Sequence, residues 1–377
     1  MILRQLKSQI KQKISTNHIL ILYGARRVGK TTLMREIFSE LKGKKLFLNA
    51  EKFSDRDILT TQNFSQLKAS FAHLDYLMID EAQTIMNIGQ ILKLMHDEFN
   101  DLNIVVSGSA SFDLTNKLGE PLTGRKKTLT LYPIAVLEQA KHEAQFKDNL
   151  HNYLLYGSYP QIIKASSFED KKEALAELSS SYLYKDILEM TDIKNSGKIR
   201  DLLILLALQL GSEVSLNELA KNLQLHIVTV QKYLDLLEKS FVIFKLRSFS
   251  RNLRKEINKS SKYYFYDTGI RNAILGNFRP LNLRNDVGGL WENFLICEKI
   301  KQNEYNRKFI NQYFWRTYDR QEIDYIEEEN GYLNAYEFKW NPKTKAKKPK
   351  LFLDSYQDST FQIISQDNYI SDFINYL

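Results

Sequence analysis

Over its first 140 residues the chain alternates short, continuously apolar runs with segments whose apolar positions recur every three or four residues. His18-Ile19-Leu20-Ile21-Leu22-Tyr23, Tyr76-Leu77-Met78-Ile79 and Asn103-Ile104-Val105-Val106 read as strands, too short and too uniformly apolar for surface helices. Between the first two, Leu33-Met34-Arg35-Glu36-Ile37-Phe38 has helical spacing, and Ile2, Leu3, Leu6 and Ile10 outline an amphipathic N-terminal helix. Thr128-Leu129-Thr130-Leu131-Tyr132-Pro133 adds an alternating strand. Strands that alternate with helices predict an α/β fold with a doubly wound parallel sheet over residues 1–145.

The pattern then changes. Residues 145–200 have helical periodicity with few turn signals, and Tyr182, Leu183, Ile187 and Leu188 would share a face of a helical lid or connector. At 198–250, Ser215 is a helix cap with Glu218 at the capping-box position. Helices are expected at 216–223 and 227–239, then a strand at 241–246 partnered by one at 262–266. Helix, turn, helix and basic-tipped hairpin form the pattern of a winged helix. Thr229, Gln231, Lys232, Arg247, Arg251, Arg254 and Lys255 would then face DNA, although winged helices also serve as protein-interaction modules. A second domain is placed at 146–270. A third, at 271–377, begins with a helix at 290–300, buried through Leu290, Phe294, Leu295 and Ile296. Strands at 313–316, 322–326 and 332–340 follow, the last two joined at Asn330-Gly331.

Composition narrows the class. With 377 residues, two or three domains are expected; 43% hydrophobic and 26% charged residues are ordinary for a globular protein. No apolar run approaches the length of a membrane span. MILRQLKSQIKQK lacks a continuous apolar core, so no secretory leader is expected. The single cysteine, Cys297, excludes an intramolecular disulfide and a cysteine-based metal site, which suits a cytoplasmic protein. A net charge of +8 points to an anionic partner, with basic residues concentrated at 247–262 and 339–350.

The junction between first strand and first helix carries the clearest chemistry. Gly24-Ala25-Arg26-Arg27-Val28-Gly29-Lys30-Thr31-Thr32 is a complete G-x-x-x-x-G-K-[ST] phosphate loop in a strand–loop–helix context. These residues would bind ATP, with Lys30 on the β- and γ-phosphates and Thr31 on Mg²⁺. Asp80, at a strand tip, would hold Mg²⁺ with Thr31, while Glu81 activates the attacking water. Ser107 or Ser109, at the next tip, would sense the γ-phosphate. Arg125 is a candidate charge stabiliser within the chain or across a subunit interface, the latter favouring a homo-oligomer.

GARRVGKTT, LMIDEAQ, SGSAS, the GR before a strand and LYPIAVLEQ resemble the prokaryotic AAA-type ATPases. In that family a C-terminal domain of unknown function, nuclease-like in pattern, follows the ATPase. Tyr156-Gly157-Ser158-Tyr159-Pro160 resembles the family's GG-(F/Y)-P element with Ser158 for the second glycine. The resemblance implies an ATP-binding core and leaves the cellular role open.

The last third carries a second constellation. A hairpin brings Asp324 to Glu337, and strand alternation puts Glu337 and Lys339 on one side. Two carboxylates for Mg²⁺ and a lysine for water or developing charge suit phosphodiester cleavage. With Glu292 on the preceding helix, the order resembles the PD-(D/E)xK nucleases. The expectation is a Mg²⁺-dependent ATPase coupled to a DNA-interacting, nuclease-like domain. The alternatives are an ATP-gated endonuclease and a nucleotide-state switch that binds a protein partner.

Overall fold

In the computed structural model, which describes residues 2–60, 64–108, 122–139, 143–182, 196–250, 261–317, 321–344 and 346–374, the first apolar run becomes β1 (Ile19–Tyr23), buried at every position. It joins β2 (Lys45–Asn49), β3 (Tyr76–Asp80), β4 (Asn103–Gly108) and β5 (Lys126–Thr130) in a wholly parallel sheet, order β2-β3-β4-β1-β5. A parallel sheet needs cover on both faces. Ile19, Ile21, Ile79 and Val106 pack with Ile88, Leu92 and Met95 of α5 (Ile88–Glu98), and the alternate residues Leu20, Leu22, Met78 and Val105 are buried too. Of the other helices, α2 (Lys30–Glu40) buries Leu33, Met34 and Ile37, while α3 (Phe53–Thr60) and α4 (Phe64–Phe71) lie between β2 and β3 in the chain. The N-terminal helix α1 (Leu6–Lys13) buries Leu6 and Ile10. Leu3, expected on that face, is 74% exposed because the helix starts after it.

These elements, up to Ile134, form one compact unit, and a second is built on residues from Ala135 onward. The second starts with α6 (Glu143–Tyr156), α7 (Pro160–Lys164), α8 (Phe168–Glu177) and α9 (Ser196–Leu208). Of the expected face of Tyr182, Leu183, Ile187 and Leu188, the last three fall outside the described residues. After β6 (Glu213–Val214), the Ser215 hydroxyl accepts from Glu218 N at 3.3 Å and starts α10 (Leu216–Leu223). Then follow α11 (Ile227–Lys239) and the antiparallel hairpin of β7 (Ile243–Ser248) with β8 (Ser261–Phe265). Helix α12 (Thr268–Leu275) leads to α13 (Val287–Tyr305), β9 (Asn311–Arg316), β10 (Glu322–Glu329), β11 (Tyr332–Phe338), α14 (Lys350–Ser355) and β12 (Ser359–Ile364).

One seven-stranded sheet, β12-β11-β10-β9-β7-β8-β6, runs through this unit. Its seam is the parallel pairing of β7 with β9, Arg247 opposite Tyr313 and Ser248 opposite Phe314. The expected division at 270/271 therefore falls inside one sheet that draws strands from both sides. Phe244, Tyr264, Phe314, Tyr325 and Tyr336 pack on one face with Trp291, Phe294 and Leu295 of α13. Trp315, Ile323, Ile326 and Ala335 pack on the other with Phe352 of α14. Ile323 and Ile326 share a face because the β9 register shifts between them, Ile323 opposite Trp315 and Ile326 opposite Tyr313. One extra β10 residue there is a β-bulge.

The Gly157-Ser158 element is a close backbone approach. Gly157 has φ +71°, and a Cβ on it would stand 2.0 Å from the Asp267 carboxylate, which accepts from Ser158 N at 2.7 Å. Asp267 also caps α12 through Ile270 N at 3.0 Å. A second glycine at 158 is not required, because its position is held through its N–H.

Candidate functional site

The phosphate loop leaves β1 at Tyr23 and enters α2 at Lys30. Gly24, Arg27 and Gly29 have φ of +150°, +61° and +100°. A Cβ on Gly24 would stand 2.2 Å from Leu131 O, so glycine is required there. Gly29 precedes α2 without a side-chain cap, which leaves the first N–H groups of the helix for an anion. Lys30 is 4% exposed and donates to Gly24 O and Ala25 O, each at 2.9 Å. Its ammonium is held over the loop on carbonyls of that loop. Arg4, which the sequence did not single out, donates to Val28 O at 2.7 Å and Tyr132 O at 2.6 Å and braces the loop from behind. Arg26 and Arg27 are half-buried, Ala25 and Val28 buried; Thr31 is half-buried and Thr32 exposed in the first turn of α2.

Strand order explains what stands beside the loop. Because β4 separates β1 from β3, the tip of β4 meets the tip of β3. Ser107 Oγ donates to Asp80 Oδ1 and accepts from Glu81 N at 3.2 Å. Asp80 and Ser107 are buried. Glu81, at φ +54°, accepts from Gln83 Nε2 at 2.5 Å. Ser109 lies outside the described residues; the hydroxyl seen at the carboxylates is that of Ser107. The uncapped helix, the glycine cradle and Lys30 fit the phosphates of a nucleotide.

Arg125 departs from the expectation. It directly precedes β5, and Ile19 N donates to Arg125 O at 2.9 Å, so it lies where β1 begins. In a parallel sheet that is the end opposite the loop, about 13 Å away for a five-residue strand. Its guanidinium is bidentate on Asp97, at 2.8 and 3.2 Å. As a charge stabiliser within its own chain, Arg125 is ruled out by this geometry.

The second constellation divides in two. On the α13 face, Glu292 Oε1 accepts from Tyr264 OH at 2.5 Å and from Lys262 Nζ at 3.2 Å, and Lys262 reaches Glu322 Oε1 at 2.6 Å. Along β11, Lys339 Nζ donates to Glu337 Oε1 at 2.6 Å, as the alternation predicts. Between the halves, Asp324 Oδ2 accepts from Phe338 N at 2.8 Å. Asp324 stands in the bulge, which turns it and Tyr325 toward α13. Burial pushes the Glu292 carboxyl up to about 8, with the Asp324 charge adding to the rise. Burial, then Asp324, pushes Glu337 up to about 7. Burial likewise raises Asp324. Burial alone would lower the Lys262 pKa, but Glu292, Asp324 and Glu322 together raise it.

The expected set of Glu292, Asp324 and Glu337 around one Mg²⁺ does not fit this geometry. Among the described residues no group of three His, Cys, Asp or Glu side chains is placed to hold a metal ion. Glu292 is turned to Lys262 and Tyr264, while Glu337 has one oxygen on Lys339 and the other buried without a partner. Lys262, Tyr264 and Glu322 were not foreseen; the one signal was a lone lysine opening the aromatic strand Lys262-Tyr263-Tyr264-Phe265-Tyr266.

Among the described residues no helix is long and apolar enough to cross a membrane. Of the basic residues expected at the hairpin tip, Arg251, Arg254 and Lys255 lie outside the described residues, whereas Arg247 is exposed, as is Lys245 of β7. Gln231 and Lys232 of α11 are exposed, with Thr229 half-buried.

The chain is similar to an uncharacterized protein of Haemophilus influenzae, 28% identical over 316 residues that cover 78% of this chain and 77% of that one. An uncharacterized protein of Mycobacterium tuberculosis is 27% identical over 342 residues, 89% of this chain and 73% of that one. The fold is similar to the Walker-type ATPase PABY2304 of Pyrococcus abyssi, TM-score 0.50 at 16% identity, covering 73% of this chain and 96% of that one. Residues 147–281 and 287–369 match domains of unknown function, DUF8612 and DUF4143. Residues 16–139 match the AAA domain family, in keeping with the parallel sheet and phosphate loop found there.

Proposed function

We propose that the protein is a Mg²⁺-dependent ATPase whose nucleotide state governs a second unit that engages DNA. The observation that carries the hydrolase reading is the Ser107 hydroxyl bonded to both Asp80 and Glu81 N beside the phosphate loop. A nucleotide switch needs the metal carboxylate; a hydrolase also needs a carboxylate for water, and Glu81 supplies it. Lys30 with residues 24–32 cradles the phosphates, and Thr31 and Asp80 hold Mg²⁺. Glu81→Gln is expected to lower ATP turnover about 100-fold or more with nucleotide binding retained, the range for loss of a general base. A wild type that does not turn over ATP, with or without DNA, overturns the reading.

The DNA part rests on the winged-helix order of β6, α10, α11 and the β7–β8 hairpin, with Gln231, Lys232, Lys245 and Arg247 exposed. Phosphate contacts release counterions, so retention on DNA falls steeply with salt. Filter binding at two salt concentrations tests it. No retention at low salt would favour the protein-partner switch instead. The reading stops short of phosphodiester cleavage, since Glu292 and Glu337 are engaged by lysines of the chain itself.

A further inference from the structure

We propose that Lys262 is the resident cation of the second polar centre, standing in the place of a divalent metal, and that this centre takes no metal. The inference rests on the nuclease-like reading of the unit, because that pattern is what raises the question of a metal there.

Lys262 is 1% exposed, and a buried ammonium persists only where carboxylates surround it. Its partners come from separate elements: Glu292 from α13 at 3.2 Å and Glu322 from β10 at 2.6 Å, with Asp324 adding its field. Its ammonium lies over the Phe314 ring, 5.2 Å from the centroid. Backbone pairing fixes it on both sides, with Leu246 of β7 opposite and Glu213 of β6 opposite.

A divalent ion bound by oxygens needs carboxylates within about 2.0–2.6 Å, with oxygens free to turn to it. Glu292 Oε1 already accepts two hydrogen bonds, from Lys262 and Tyr264. Its Oε2 lies so close to Gly211 that a Cβ there would stand 2.9 Å away. A second cation beside Lys262 would be repelled. Lys339 does the same for Glu337, and Arg316 lies 3.9 Å from Glu322 Oε2. Glu292 and Glu322 are thus ion-paired by Lys262, and Glu337 by Lys339 through one oxygen, all from within the chain. The cation comes from β8, the hairpin half of the sheet, and the carboxylates from α13, β10 and β11.

The test is Mn²⁺ binding by nucleotide-free, full-length protein carrying Asp80→Asn, which removes the metal carboxylate of the phosphate loop. No Mn²⁺ is expected to bind tighter than about 1 mM, the weak end of such oxygen-ligated sites. Lys262→Met in that background is expected to gain one Mn²⁺ at least about tenfold tighter than that limit, and Asp324→Asn to abolish the gain. Mn²⁺ bound without any change at 262, and lost on Asp324→Asn or Glu337→Gln, overturns the proposal. So does a folded Lys262→Met protein that gains no site. The first arm needs no substitution at 262 and decides even if Lys262→Met does not fold. DNA retention in EDTA is measured alongside: its absence removes the DNA reading and leaves the Mn²⁺ result standing.

Discussion

At the tip of β4 the Ser107 hydroxyl ties the Asp80 carboxylate to the backbone that carries Glu81, and both would otherwise be free to turn. Ser107→Ala leaves one buried oxygen of Asp80 without its donor, a loss of about 1–3 kcal/mol. The expected result is a fall of about tenfold or more in ATP turnover, the rate equivalent of about 1.4 kcal/mol, with nucleotide affinity little changed. Steady-state kinetics beside equilibrium binding separates the two. In the second unit, Asp286 accepts from Arg271 Nη1 at 2.5 Å and from Arg284 at 2.8 Å. Burial works against the carboxylate, but Arg284 and Arg271 hold its pKa well below the usual range. A depressed carboxyl stabilises fully above its unfolded pKa, and that contribution is lost as the pH falls toward the folded value. Urea midpoints should drop between about pH 5 and pH 2, with a shallower drop in Asp286→Asn, which has no carboxyl to titrate.

Among the elements, α13 shows how a helix is locked to a strand. Asn293, fully buried, accepts from Phe265 N at 2.8 Å and donates to Phe265 O at 2.7 Å, clasping the end of β8. Asn293→Leu keeps the volume but orphans both backbone groups, at about 1–3 kcal/mol each. Urea unfolding should register that loss without a change in slope. The helix itself was legible, since Leu290, Phe294 and Leu295 recur at its spacing, and so were the phosphate loop, the Asp80 strand and the Glu337–Lys339 side. The ion cluster around Glu292 was not, for two physical reasons. Asp324 is aimed by a bulge, and a bulge is one extra residue that leaves no mark in an apolar pattern. Lys262 arrives through β7 pairing with β9, a contact between distant stretches that no local periodicity encodes. The in-chain reading of Arg125 missed for another reason: its sequence context resembled the family element, but a parallel sheet puts the start of β5 at the far end from the loop.

For the whole molecule, the coupling proposed between nucleotide and DNA would be a linkage between two binding free energies and therefore reciprocal. A non-hydrolysable ATP analogue is expected to tighten DNA binding about 5- to 150-fold, and DNA to tighten the analogue by the same factor. Paired titrations check this, and affinities that neither ligand changes for the other would mean the two activities are merely carried on one chain. The single sheet of the second unit bears on how such a chain can be dissected. Excising 271–377 along the seam that the sequence suggests would strip β7 from β9 and leave a bare strand edge, a template for self-association. The same cut would remove Lys262, which pairs both Glu292 and Glu322. Solubility of that fragment would depend on a lysine it no longer contains, so the two halves of the sheet have to be inherited, expressed and studied together.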